Sequence, residues 1–478
     1  MSTPQSSSLS VGLADWARSF TEPGDEFPLT PLNVVAGHLP SDLKGSLYFN
    51  GPSLFQRNGE TIHHWFDGDG SVLAVHFDGA TAVGTHRRVR TVGYQAEEEA
   101  GRFLYGGYGR RSSGPFWQPS ASKTKNAANT SVLALSDRLL ALWEGGFPHA
   151  LDLHTLETHG LDGLQTLAPG EAFSAHPKID PHTQEIYNFG VKIGAKTALH
   201  LYRCDRQGQI RQRGRINLPH IPLIHDCVLA GPYLIFVIPP ISISPLPVLL
   251  NWQSYSEAMR WQPKRGTQIL VVDRETLTLI AQAEASPWFQ WHFSNGYVDG
   301  QGQVVVDMVQ YPDFTTNQFL SEVPSGKPQT AAPGHLSRLW INPQTAQITG
   351  TAQLGDVNCE FPQVDPRQVG QPSRYTYLTA RSSTANATDL FDAIAYFDHK
   401  CDRWTWSDLG PSRYPSEPLV VPHPYQDDSN WILSVVYDAQ RHASEVWIYN
   451  HHSFADGPVC RLELPQPIPI RFHGTWQS

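Results

Sequence analysis

Residues 73–83, LAVHFDGATAV, carry the phrase from which the fold is read: an apolar strand closing on Asp78, a short polar turn, and a second strand. The phrase recurs in ALDLHTLET at Asp152, LYRCDRQGQI at Asp205 and ILVVDRETLTLI at Asp273. It recurs again in LWINPQTAQITG at Asn342, IAYFDHKCDRWTW at Asp398 and VWIYNHHSFADG at Asn450. Asp and Asn suit such turns because their side chains bond the local backbone, and the flanking runs alternate apolar and polar residues as half-buried strands do. Seven hairpins spaced by about 62 residues leave room in each interval for one four- or five-stranded sheet and a loop. Radial repetition of that unit is a β-propeller. The expectation is therefore an all-β, seven-bladed propeller over residues 27–478, with a pair of β-sandwiches as the alternative.

Composition agrees. The 478 residues are 40% hydrophobic and 17% charged, as in a folded protein. A length prior of roughly 150 residues per domain suggests about three domains, but closed all-β folds exceed it. The formal charge of −10 is spread along the chain with no basic arm or stripe, which excludes nucleic acid as a partner class. No obligate protein partner is evident. The 5 cysteines are dispersed, with no CxxC pair. That fits a reducing compartment and speaks against a Cys-ligated zinc or iron–sulfur site. Residues 1–10 lack the cationic and apolar regions of a secretory signal, so the expected location is the cytoplasm.

Two segments depart from the strand pattern. In residues 11–20, Val11, Leu13, Trp16, Ala17 and Phe20 recur about one turn apart, which predicts a short amphipathic helix in an N-terminal segment ending at residue 26. Residues 227–256 hold no charged side chain. Their five prolines forbid a spanning helix, and the segment is expected to be an apolar loop that touches a membrane surface.

Among 21 histidines, four stand in apolar or Gly/Asn-rich settings: His176 in AFSAHPK, His225 in PLIHDC, His292 in FQWHFSNGY and His473 in IRFHGTW. Their wide separation puts them on different repeats, where only the central channel of a propeller could bring them together around a metal. Three glutamates sit in equally apolar company: Glu144 in ALWEGGF, Glu360 in NCEFPQ and Glu417 in PSEPLVV. A buried Glu needs a partner, and the second N–H of a metal-bound imidazole is a suitable one.

With NGPSLF and HWFDGDG near the start, the motif set WEGG, AHPK, IHD, WHFSNGY, CEFP, SEP and FHG resembles the carotenoid cleavage oxygenases, most closely the cyanobacterial apocarotenoid oxygenases. The resemblance runs from about Phe27 to Trp476. It implies one non-haem Fe(II) per chain on the propeller axis, held by His176, His225, His292 and His473, beneath a helical and loop cap over one face. It also implies that Glu144 orients His225, Glu360 orients His292 and Glu417 orients His473, while Thr130 crowds a vacant coordination position. The implied reaction is cleavage of a conjugated C=C bond by O₂ into two carbonyl products, retinal from β-apocarotenals foremost.

Such a lipophilic polyene requires an aromatic tunnel, and Trp143, Trp291 and Phe293, beside Glu144 and His292, are its expected walls. The alternative substrates are phenolic stilbenes, for which Lys123 or Lys125 with Tyr105 or Tyr108 would hold the phenol; retinoid isomerisation ranks below both. The non-enzymatic alternative is a propeller used as a binding platform. All seven hairpins end before His473, so the last residues are expected to be dispensable for folding and to serve only to carry His473 to the axis.

Overall fold

The computed structural model describes residues 12–114, 124–194, 196–426 and 429–478. Antiparallel strands form seven sheets around an axis, and each expected hairpin falls in a different one. At every hairpin the Asp or Asn side chain accepts from backbone N–H groups of the turn, as Asp78 does from Ala80 at 2.8 Å and Asn450 from His452 at 2.9 Å. Asp180 and Asp299 build the same turn between strands nearer the axis. The motif therefore marks a tight turn rather than a position within the blade.

The first blade runs, from the axis outward, through Gly474–Gln477, Lys44–Ser53, Asp69–Asp78, Ala82–Arg88 and Phe27–Pro31. The next three begin at the axis with Ser131–Ala134, Lys178–Ile179 and Val228–Ala230. The fifth begins with Phe289–Val298 and ends in Ile348–Gln363, a strand long enough to leave that sheet and become the innermost strand of the sixth. The seventh starts with Arg413–Pro415 and Leu419–Pro422, which pair with the same neighbour on either side of Glu417, and is completed on its outer edge by Asn33–Gly37.

The chain ends therefore lace the ring. One N-terminal strand joins the last blade, and the C-terminal strand is the inner edge of the first. This corrects the expectation for the tail: Gly474–Gln477 pairs with Ser46–Phe49 and belongs to the fold.

Apolar layers fill the wedges between consecutive blades, as alternating strands require. A further layer caps one face and contains the N-terminal helix, which is shorter than expected. It is a turn at Asp15–Ala17 followed by Arg18–Thr21, with Trp16 buried against Phe20 and Phe20 against Phe55 and Trp65. Leu13 is exposed, outside that buried face, and Val11 lies outside the described residues.

The uncharged segment is divided. Val228–Ala230 and Tyr233–Ile238 are buried strands of the fourth blade, where the absence of charge reflects core packing. Only Pro245–Leu249 and its flanks stand out, with Leu246, Leu249 and Trp252 each more than half exposed. Among the described residues no helix is long and apolar enough to cross a membrane.

Candidate metal centre

Each of the seven innermost strands delivers one chemically distinctive side chain, from the residues just before it or, in Phe289–Val298 and Ile348–Gln363, from within it. In blade order these are His473, Thr130, His176, His225, His292, Glu360 and Glu417. A separation of some fifty to two hundred residues along the chain thus collapses to atomic contact. One ring nitrogen from each of His176, His225, His292 and His473 lies within 4.8 Å of the others, and all four residues are buried.

The tautomers are set from outside the cluster. The Nδ1 of His292 lies 2.6 Å from Glu360 Oε2, that of His473 2.9 Å from Glu417 Oε1, and that of His225 against Glu144 Oε1. A ring that donates Nδ1–H to a carboxylate turns a bare lone pair inward on Nε2. The Nε2 of His225 stands 3.0 Å from that of His176 and 3.1 Å from that of His292. One proton could bridge only one of these pairs, whereas a cation answers every lone pair at once. Four neutral imidazoles suit a borderline divalent metal such as iron, zinc, copper or nickel, so the donor set fits the metal site that the resemblance implies.

The carboxylates are themselves held. Glu417 accepts from Gln363 Nε2 at 2.6 Å and from Gly474 N at 3.0 Å, which ties the sixth blade and the C-terminal strand to the same anion. Glu360 accepts from Tyr311 Oη at 3.0 Å, and burial holds its carboxyl up at about 7. Burial and the neighbouring imidazoles push His176 and His292 well below the usual histidine range. Burial opposes the charged form of His225 as well, but Glu144 outweighs it and the group is raised. His176 takes no carboxylate among the described residues; Ser174, whose Oγ accepts the His176 N–H at 3.1 Å, steadies its loop.

The tail reaches the axis through backbone bonds. Phe472 N donates to Asn50 O, Asn50 N to His473 O, and Arg471 N to Ser416 Oγ. Phe361, beside Glu360, adopts φ +55°, a conformation that costs a bulky residue roughly 1–3 kcal/mol. Its ring stacks on His292 with centroids 5.3 Å apart and planes tilted by 28°.

Two cavities meet at the cluster. One, of about 380 Å³, is walled largely by aromatic and aliphatic side chains and reaches His225, His292 and His473. Trp143, Trp291 and Thr130 line it, and Trp291 packs edge-on to His225 at 5.0 Å. Phe293 does not line it. Successive register shifts between Gln290 and Asn295 carry that ring into the apolar layer between the fourth and fifth blades. The other cavity, about 500 Å³, follows the axis on the opposite side and touches His176, His473, Lys178 and Glu417.

The residues proposed for a phenol are dispersed. Lys125 is buried between Asp69 and Glu97, at 2.8 Å from each, and Tyr105 stands off the cavity. Tyr108 lines the cavity and donates to Asn317 at 3.0 Å, while Lys123 lies outside the described residues. Sequence reasoning missed Tyr311 and Gln363, which carry no local signature, and the Lys178–Asp226 ion pair at 2.8 Å. The pair was visible inside the AHPK and IHD motifs.

Comparison with known proteins accords with this geometry. Residues 20–478 match the family described as Retinal pigment epithelial membrane protein. The chain is 33% identical to the apocarotenoid-15,15'-oxygenase of Synechocystis, covering 99% of this chain and 98% of that one. It is 26% identical to resveratrol cleavage oxygenase 1 of Aspergillus fumigatus, covering 92% and 91%. The crystal structure of a cobalt-substituted Synechocystis ACO superposes with a TM-score of 0.86 at 31% identity, covering 97% and 98%.

Proposed function

The chain belongs to the Retinal pigment epithelial membrane protein family, and from that premise we propose that it is a non-haem iron dioxygenase that cleaves a conjugated double bond of an apocarotenoid. The observation that carries this reading is the four-imidazole cluster opening on an aromatic cavity. Fe(II) at the cluster would supply the activation of O₂ beside the substrate, with both oxygen atoms ending in the two carbonyl products. The protein's own part is to bind and orient. Trp143, Trp291 and Phe361 offer flat apolar faces to a polyene and exclude water from the reacting bond. Glu144, Glu360 and Glu417 keep three imidazoles in the ligating tautomer without adding negative charge next to the metal. Thr130, on the same wall, is the residue we assign to narrowing the space beside the metal.

A β-apocarotenal giving retinal is the substrate favoured by the likeness to the Synechocystis enzyme, named for the 15,15' position. The likeness to a resveratrol-cleaving oxygenase keeps a stilbene as the second reading. The burial of Lys125 in ion pairs away from the cavity supports the polyene over the phenol. We further propose that Leu246, Leu249 and Trp252 rest on a membrane from which the substrate is drawn, since the chain between them and the cavity-lining Tyr255 is short. The test is anaerobic iron loading, then admission of air in the presence of one apocarotenal or one hydroxystilbene. Two shorter carbonyl products from the apocarotenal support the reading. Cleavage of the stilbene alone overturns the substrate, and full activity without iron overturns the mechanism.

A further inference from the structure

We propose that Arg381 and Tyr414 form a subsite for an oxygen-bearing end of the polyene, selecting a terminal carboxylate first, an aldehyde next and a plain hydrocarbon last. The inference rests on the polyene reading above and adds to it which end group the cavity recognises. The cavity that both residues line also has Leu390, Phe391, Ile470 and Phe472 in its wall, with the Tyr311 phenol already spent on Glu360. Arg381 is a buried cation in that wall. Its Nη1 donates to Ala387 O at 2.7 Å and its Nη2 to Asp389 O, while its guanidinium sits 5.5 Å over the Phe391 ring. A guanidinium has five N–H donors, and two are spent on these carbonyls.

Its Nε has no partner, and no carboxylate is ion-paired with Arg381 among the described residues. The nearest acids are engaged elsewhere. Asp392 accepts from Ser382 N and Oγ at 2.7 and 2.6 Å, and Asp389 from Asn386 Nδ2 at 2.9 Å. Burial draws Arg381 below the ordinary arginine value in spite of Tyr311, Asp389 and Asp392 nearby. Tyr414 lines the same cavity, and its hydroxyl makes no hydrogen bond among the described residues.

A few unspent polar groups in the wall of an apolar cavity are how a site fixes a ligand's direction. A carboxylate would pair with the guanidinium and accept from the phenol; an aldehyde would accept from one of them. A hydrocarbon end would only shield the guanidinium from water, which penalises it actively. Binding an oxygenated end here would also set which double bond rests at the four histidines, because the span from the subsite to the cluster is constant.

The experiment uses three polyenes of equal length, ending in a carboxylate, an aldehyde and a methyl group, with wild type, Arg381→Met, Arg381→Lys and Tyr414→Phe. The expected KM order for wild type is acid, aldehyde, hydrocarbon. Arg381→Met raises KM for the acid about tenfold or more, the worth of one charge-assisted hydrogen bond, with kcat little changed, and lowers KM for the hydrocarbon, whose end no longer shields a charge from water. Arg381→Lys recovers part of the loss for the acid, and Tyr414→Phe shows a smaller loss of the same selectivity. An equal rise for all three substrates, or none, overturns the proposal. Failure of wild type to cleave any of them refutes the functional reading instead. The subsite is then decided by quenching of tryptophan fluorescence: weaker binding of the polyenoic acid to Arg381→Met upholds it, and unchanged binding refutes it.

Discussion

Replacing Glu417 by Gln changes one oxygen to an amide nitrogen at the centre of three hydrogen bonds. The carboxylate accepts from His473 Nδ1 at 2.9 Å, Gln363 Nε2 at 2.6 Å and Gly474 N at 3.0 Å, and its side chain is 1% exposed. A glutamine has one oxygen to meet three donors, so at least one of them faces its NH₂ group. If that donor is His473, the ring is free to take the other tautomer and turn N–H toward the metal. A hydrogen bond to a charged group contributes about 1.5–3 kcal/mol, which corresponds to roughly a ten- to hundredfold loss of metal affinity, the range usual for a partner of a metal-bound histidine. The strand pairings of Ile348–Gln363 and Gly474–Gln477 do not involve the carboxylate, so the ring of blades should still close. The assay is competition for Fe(II) or Co(II) between protein and chelator, read beside thermal unfolding of the same samples. Wild-type affinity in a normally folded Glu417→Gln protein would refute the assignment of His473 as a ligand oriented by Glu417.

His473→Ala should unfold near the wild-type temperature yet bind markedly less metal, whereas deletion of residues 474–478 should lower thermal stability outright, because it removes the inner strand of the first blade; a truncated chain as stable as wild type would contradict that pairing. Leu246→Asp with Leu249→Asp should abolish binding to liposomes at unchanged metal content, because a charge placed in the lipid interface costs a few kcal/mol; persistent binding would remove this segment from the membrane surface. Acid should destabilise the protein well above the carboxylate range. Burial lowers His64 to about 3 and His149 to about 4 from 6.5, so the unfolded chain binds protons there that the folded one refuses. The stability they preserve is complete above pH 6.5 and is lost as the pH falls toward 4, at about 1.4 kcal/mol per pH unit for each residue. Urea midpoints that do not fall between pH 7 and pH 5 would show that these rings are not held neutral.

Much of this architecture was legible because propeller blades are local. Each hairpin is written in about a dozen consecutive residues, and Asp78, Asp152 and Asn450 announce turns by chemistry that needs no distant partner. The four histidines stood out by their apolar or Gly/Asn-rich surroundings, and the resemblance of the motifs around them to a known family implied that they share a metal. What escaped notice depends on how inner strands are placed. A bulge near His292 turned Phe293 away from the cavity, and alternation along a strand cannot reveal a register shift. The uncharged run from residue 227 to 256 combined a buried strand pair with an exposed turn, two environments that both exclude charge. Closure of the ring by Gly474–Gln477 was hidden because its partner, Lys44–Ser53, lies at the other end of the chain. Tyr311 and Gln363 act only through the carboxylates they hold, so nothing beside them in sequence marks their role.

The central claim is that one metal held by four histidines performs the oxidation. Its most direct test is to strip the protein with chelator, return Fe(II) anaerobically in measured steps, and then admit ¹⁸O₂ with an apocarotenal, recording product and label at each step. Product should rise in proportion to iron, with a break at one iron per chain and ¹⁸O in both carbonyl products. Turnover by the stripped protein equal to that of the loaded protein would contradict the claim.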